Sequence, residues 1–325
     1  MRQDHGVPLP LQLLDLLREI KSATPAEIIG GAPTEVYTFG YHRLRSRIPL
    51  NIQSTSTSTA FGFIGAGKLA GSVIRGLLLK KFCAPGDIIA SQPIDDLRAE
   101  LEAETGICVT VDNLEVARTA DTIFVGVKPS VVLPVLREIA AASGNKLVIS
   151  LAAGVRLSDM EAATGARVLR VMTNTPSAIA RGATAFACGS RSTDDDVRRV
   201  EQIFGAIGAI VRVEEDQIDA VTALAGSGPA FVYTVIEALA AGGEREGLPA
   251  DVALTLATQT VLGASQLAAE SAATPDELRR MVITPGGTTA AGLAVMEKLR
   301  TSEGLAAAIE AAAQRGREMA QEAAR

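Results

Sequence analysis

The stretch FGFIGAGKLAGSVIRGLL, Phe61 to Leu78, decides how the rest of the chain is read. FGFI is a short apolar run of strand character, and helical spacing predicts a helix over Lys68 to Lys80. Between them Gly65 would make a tight turn, and Gly67 would let backbone approach a pyrophosphate. Ala70 fills the third small position, where helix must pack on strand. The helix would aim its first amides at the phosphates. Glycine-rich turns also serve as plain strand–helix connections, but a strand before and a helix after favour a dinucleotide site.

Downstream of this turn the same alternation continues. DIIA from Asp87, TIFVGV from Thr122, KLVISL from Lys146 and RVLRVM from Arg167 read as strands. Helical segments separate them, including one over Asp95 to Glu104. Apolar strands alternating with helices imply a parallel sheet covered on both faces. GATAFACG and GAIVRV, from Gly182 and Gly208, add strands at the far edge. Near Asp216 the texture changes, and helices are predicted over Asp219 to Gly242, Pro249 to Glu270, Pro275 to Val282, Ala290 to Arg300 and Ser302 to Ala323. The expected organisation is α/β: a doubly wound domain over 60–215, then an all-helical domain over 216–325.

Residues 1–59 differ in character. Leu11 to Ile20 could form a short amphipathic helix, stopped by Thr24-Pro25. YHRLRSRIPLNIQSTSTSTA, from Tyr41, has Arg and Ser/Thr but no acid, as organelle-targeting segments do. The acids Asp4, Asp15, Glu19, Glu27 and Glu35 weigh against targeting and favour a cytoplasmic protein, with these residues a disordered extension or the product of a misplaced start codon.

Composition excludes several chemistries. The net charge of −6 argues against a nucleic-acid partner. No apolar run is read as long enough to cross a bilayer, so no membrane partner is expected. Aromatic residues make up 3% and Trp is absent, which predicts a core of Ala, Val, Leu and Ile. Cys83, Cys108 and Cys188 have no metal-ligand spacing and read as buried small residues in a reducing compartment, so no metal is expected. Both histidines, His5 and His42, precede the glycine turn. That removes histidine triads, histidine zinc sites and histidine-dependent dehydrogenases from consideration.

Three further strand ends carry GVKPS (Gly126 to Ser130), LAAGV (Leu151 to Val155) and MTNTP (Met172 to Pro176). Ligands of parallel sheets bind at carboxyl ends of strands, so these stretches would line one crevice. The second strand ends in ASQP, offering Ser91 and Gln92 where an NAD site usually places a carboxylate. A 2′-phosphate is then not repelled, which favours NADPH over NADH, although Arg98 is the nearest arginine and lies one helical turn inside. In the helical half, ALAGSGPAF from Ala223 predicts a helix break, because two glycines and a proline are costly inside a helix. ITPGGTTAAGL from Ile283 joins two helices. Its Gly286 and Gly287 could offer amides to a carboxylate, with the hydroxyls of Thr288 and Thr289 beside them. A helix-capping turn is the alternative.

GFIGAGKLA, GVKP, AAGV, MTNTP, EEDQIDAVTALAGSGPAF, GLP and TPGGTT, in this order, resemble the pyrroline-5-carboxylate reductases. The likeness runs from Phe61 to about Arg317. It implies a Rossmann domain, a helical domain that interlocks with a second subunit in a homodimer or larger assembly, and the last reduction of proline synthesis. It implies cofactor contacts at Ile64, Gly65, Ala66, Gly67, Lys68 and Leu69, with Ser91 and Pro93 near the adenosine ribose. Asn113, Gly126, Val127, Lys128, Pro129, Ala152, Ala153 and Gly154 match further cofactor positions. Thr289 matches the threonine beside the pyrroline nitrogen, while Ser227, Gly286, Gly287 and Thr288 surround the substrate carboxylate. Two departures stand out: Ala272 and Met281 replace a polar contact of some relatives, and ASQP lacks their arginine after the second strand.

A protonated cyclic imine accepts hydride without a protein acid, so the missing imidazole is chemically coherent with this likeness. The competing enzyme reading is a β-hydroxyacid dehydrogenase, which typically needs a catalytic lysine; past Ile218 the chain has only Lys298. A silent cofactor-binding scaffold would have no reason to keep both GSGPA and PGGTT.

Overall fold

A computed structural model describes residues 61–323. The expectations for the extension, including its amphipathic helix and targeting segment, lie outside the described residues. The described chain divides into two compact units, one of residues 61–235 with 302–323, the other of residues 236–301.

The first unit is built on one eight-stranded sheet in the order β3-β2-β1-β4-β5-β6-β7-β8. Its strands are β1 (Phe61–Ile64), β2 (Ile88–Ser91), β3 (Cys108–Thr110), β4 (Thr122–Val125), β5 (Leu147–Ser150), β6 (Arg167–Met172), β7 (Gly182–Cys188) and β8 (Gly208–Arg212). Between them run α1 (Lys68–Leu79), α2 (Asp95–Thr105), α3 (Asn113–Thr119), α4 (Pro129–Ser143), α5 (Leu157–Ala163) and α6 (Asp194–Ala206). Seven of these eight strands are those expected from the sequence, but the wholly parallel sheet needs correction: β7 runs antiparallel to β6, and β8 is again parallel to β7.

 The reason is length, since residues 173–181 are too few for the crossover of a dozen or more that a parallel return requires. A 3₁₀ turn over Thr175–Ile179, ending at left-handed Ala180, reverses the chain instead. β3, at the sheet edge, was not anticipated.

Side chains alternate across the sheet. Phe61, Phe63 and Phe124 face one apolar layer with Val73, Ile74 and Leu77 of α1 and Val200 and Ile203 of α6. Ile64, Ile123 and Val125 face the other layer, with Val116, Leu136 and Met160 from α3, α4 and α5. The expected aliphatic core is corrected in the first layer: Phe63, Phe124, Phe186 and Phe204 are fully buried. Phe63 and Phe124 are register partners on adjacent strands, and their rings stack at 4.3 Å. Burying each such ring contributes about 2–3 kcal/mol. The cysteine expectation also needs correction, because Cys108 is exposed and the other two are half-buried. Burial pushes the Cys83 thiol up to about 11, with Asp87 adding to the effect.

After β8 the chain is helical: α7 (Ile218–Val221), a π-turn (Thr222–Gly226), α8 (Gly228–Arg245), α9 (Ala250–Glu270), α10 (Pro275–Met281), α11 (Thr288–Lys298) and α12 (Thr301–Ala323). Within residues 236–301 the buried apolar cluster consists of three alanines, Ala240, Ala253 and Ala257. Larger side chains there, such as Leu239, Leu254, Leu256 and Leu262, are about half exposed. The reading that no apolar run could cross a membrane is corrected by length and composition: Glu215–Arg245 and Ala250–Glu270 both pass that test. Alanine and glycine make these stretches apolar without long uninterrupted runs of large residues, which is why the sequence did not show it.

Candidate active site

The turn after β1 is held from below by the end of β2. Gly65 and Ala66 donate their N–H groups to the Ser91 carbonyl at 3.2 and 3.0 Å. The Ser91 hydroxyl accepts a further bond from Gly65 at 3.3 Å and donates to Asn113 Oδ1 at 2.7 Å. Asn113 Nδ2 in turn donates to Glu138 at 3.1 Å. Ser91 is 2% exposed, so its hydroxyl braces the turn rather than facing outward. Gln92, read from the sequence only as standing at the ribose position, also braces the turn, donating from Nε2 to the Ala66 carbonyl at 3.1 Å. Pro93, after them, is exposed.

Gly65 has a φ of +83°, the left-handed region that favours glycine. Gly67 is different: its φ is ordinary, and a Cβ built on it would meet nothing within 4 Å. It caps α1 without a side-chain hydrogen bond, and the first turn holds no acid. Open space beside unblocked helix amides is what a pyrophosphate needs. Lys68 is exposed and Leu69 half-buried at the same rim, while Ile64 is buried below it.

A cleft of about 430 Å³ opens above the ends of β4, β5 and β6. Leu69, Gly126 to Pro129, Ala152 and Ala153 line it, together with Met172, Thr173, Asn174 and Thr175. The three strand-end motifs therefore share one crevice. Gly154, buried with a φ of +70°, turns the chain behind that wall and does not line the cleft. Leu151, Gly226 and Met319 complete the lining, and nothing in the sequence pointed to Met319.

The expected break at ALAGSGPAF needs correction. The helix continues through a π-turn, in which the Ser227 N–H donates to the Thr222 carbonyl, five residues back, at 2.9 Å. The wider turn lets Gly228 and Pro229 begin α8, where a proline without an N–H is tolerated. Ser227 follows this turn directly and is half-buried.

Gly286 to Thr289 lie in the other unit. Gly286 has a φ of +70°, and the Gly287 N–H donates to the Thr284 carbonyl at 2.9 Å. α11 starts at Thr288, two residues earlier than the sequence suggested, so Thr288 and Thr289 stand in its first turn. Gly287 caps the helix with no side-chain hydrogen bond, and no acid occupies the first turn. The turn thus caps a helix and also presents amides suited to a carboxylate. Thr289 is half-buried and Thr288 exposed.

Among the described residues no cluster of His, Cys, Asp and Glu could hold a metal ion. The fold and the glycine turn together define a dinucleotide-dependent oxidoreductase of the Rossmann type. Residues 60–154 match the family model described as NADP oxidoreductase, coenzyme F420-dependent, and residues 215–319 match pyrroline-5-carboxylate reductase dimerisation. Curated pyrroline-5-carboxylate reductases from Arabidopsis thaliana and Methanosarcina acetivorans are each 40% identical, over 80% and 79% of this chain and 95% and 97% of theirs. A solved pyrroline-5-carboxylate reductase from Coxiella burnetii is 34% identical, with a TM-score of 0.73 over 81% of this chain and 99% of its own. The Plasmodium falciparum pyrroline carboxylate reductase, solved with NADP bound, has the same TM-score at 28% identity, over 81% and 98% of the two chains. The chain belongs to the pyrroline-5-carboxylate reductase family.

Proposed function

We propose that this protein reduces 1-pyrroline-5-carboxylate to proline with NADPH. The observation that carries the reading is that each of the two units has an unblocked helix N-terminus reached by a glycine turn, at Gly67 in one and at Gly287 in the other. The first suits a pyrophosphate, the second a carboxylate. Gly65 to Leu69, Gly126 to Pro129, Ala152 and Ala153 would hold the cofactor, with Gly154 turning the chain behind them. Reduced nicotinamide, when bound, supplies the hydride. A cyclic imine can arrive protonated from solvent, so the chain has to position its ring rather than supply a strong acid. The α11 amides and Ser227 would hold the carboxylate, and the Thr289 hydroxyl would orient the ring nitrogen.

Arg98 supports NADPH over NADH. Its guanidinium donates to the Gln92 carbonyl at 3.2 Å and to Asp95 at 2.9 Å, which brings it to the end of β2. A helical unit with three alanines as its buried cluster supports a homodimer as the smallest active assembly. Its exposed leucines would be covered by the second subunit. Free thiols, one of them exposed, suit a reducing compartment such as the cytoplasm.

The decisive assay follows NADPH oxidation with pyrroline-5-carboxylate, beside a 2-methyl-3-oxopropanoate control. Turnover of the first alone is expected; turnover of the second alone would replace the reading with a β-hydroxyacid dehydrogenase. Light scattering of the purified protein tests the assembly, and an active monomer at micromolar concentration would rule the dimer out.

A further inference from the structure

We propose that Asn174 is a positioning residue for the substrate, setting the π-turn Thr222–Gly226 and through it the placement of Ser227. The inference rests on the reductase reading. It begins with Pro229, which has no N–H to donate. In a regular α-helix the N–H of residue 229 would satisfy the carbonyl of Ala225, four residues back. Here that carbonyl needs another donor. Asn174 Nδ2 supplies it at 3.1 Å.

The other end of the same carboxamide is also committed, since Asn174 Oδ1 accepts the N–H of Ala183 at 3.0 Å. Donor and acceptor are thereby distinguished: a flipped amide would set oxygen against the Ala225 carbonyl and NH₂ against the Ala183 N–H. One side chain, 7% exposed, fixes the segment after β6, the start of β7 and the π-turn relative to one another. Buried amides satisfied on both sides resist displacement, because breaking one bond leaves a desolvated group behind.

The location gives this fastening a consequence for the site. Asn174 and Gly226 both line the cleft at the carboxyl ends of the strands. Ser227, the next residue, is one of those assigned to the substrate carboxylate. A π-turn is a rare insertion in an α-helix and recurs at functional sites. Pro229 disfavours the regular alternative from within the helix, and Asn174 secures the irregular one from outside.

The test compares Asn174→Ala and Pro229→Ala with the wild type, as full-length proteins. Asn174→Ala should raise KM for pyrroline-5-carboxylate about tenfold while KM for NADPH stays within about twofold. Pro229→Ala, which keeps Asn174 but restores a competing N–H, should raise the same KM about threefold without loss of thermal stability. A stabilising role alone would lower the yield of folded protein and leave KM unmoved. An unchanged substrate KM in Asn174→Ala would overturn the proposal; should that variant not fold, an unchanged KM in Pro229→Ala would do so. A wild type that does not turn over pyrroline-5-carboxylate would instead sink the reductase reading.

Discussion

Ala70 and Gly126 approach so closely that a side chain on the glycine would bring its Cβ to 2.8 Å from the Cβ of Ala70. The Gly65 carbonyl lies 2.9 Å from the same point. Both neighbours are fixed, one by a buried helix and the other by backbone. Gly126→Ala should therefore lift α1 from the sheet and cost about 1–3 kcal/mol, read by urea denaturation. Gly67→Val makes the informative contrast. A side chain there meets only open space, so the fold should keep its stability while NADPH affinity falls at least about tenfold. Equal affinity by fluorescence titration would mean that the phosphates are held elsewhere.

The glycine turn was legible because its requirements are local. Gly65 needs a left-handed φ and Gly67 needs no Cβ, and each leaves a mark on the sequence. What stayed hidden depended on distant residues. The Phe63–Phe124 stack requires knowing the register of two strands. The π-turn looked like a break because its support, Asn174, lies 51 residues from Ala225. The bracing roles of Ser91 and Gln92 were invisible for the same reason, since the residues where β2 ends were read only as a surface for ribose. Arrangement at the far edge escaped too: β7 has the same residue types as a parallel strand, and only its short connection reverses it.

Arg98 offers a test of cofactor choice. Its salt bridge partner Asp95 is largely exposed, so a 2′-phosphate can compete for the guanidinium. Arg98→Gln should lower kcat/KM with NADPH about tenfold and leave the NADH value nearly unchanged. Equal losses with both cofactors would assign Arg98 to holding the Gln92 backbone rather than to the phosphate.

Asp196 should make the sheet unit sensitive to acid. Burial alone would raise its carboxyl, but hydrogen bonds from Arg167 and Thr193 outweigh that and hold it below the usual carboxylate range. Arg167 reaches it through two nitrogens, at 2.8 and 3.0 Å. A depressed folded value means the stabilisation is complete above the unfolded value of about 3.9 and is lost as pH falls through the folded one. Stability should thus decline below about pH 4. Asp196→Asn should cost about 2 kcal/mol at pH 7, a figure moderated by the partial exposure of Arg167, and should flatten that decline. Denaturation midpoints of both proteins across this range would measure it; parallel curves would remove Asp196 from the account.

Thr289 carries the mechanistic test. It sits in the first turn of α11, half-buried, beside amides that suit a carboxylate. If its hydroxyl orients the imine nitrogen, Thr289→Ala removes about one hydrogen bond, and kcat/KM for pyrroline-5-carboxylate should fall roughly ten- to a hundredfold. KM for NADPH should change little. Thr289→Ser retains the hydroxyl and should keep much of the rate. The size of the loss separates three roles. A fall beyond about a thousandfold, steepening with pH, would make the hydroxyl a true proton donor. No measurable loss would place the nitrogen against another group, and Thr288→Ala would then be the variant that loses activity. The expected intermediate loss, reversed by serine, is the signature of orientation. It would also account for a reductase whose described residues contain no histidine, because the proton needed by the ring is already on the substrate when it binds.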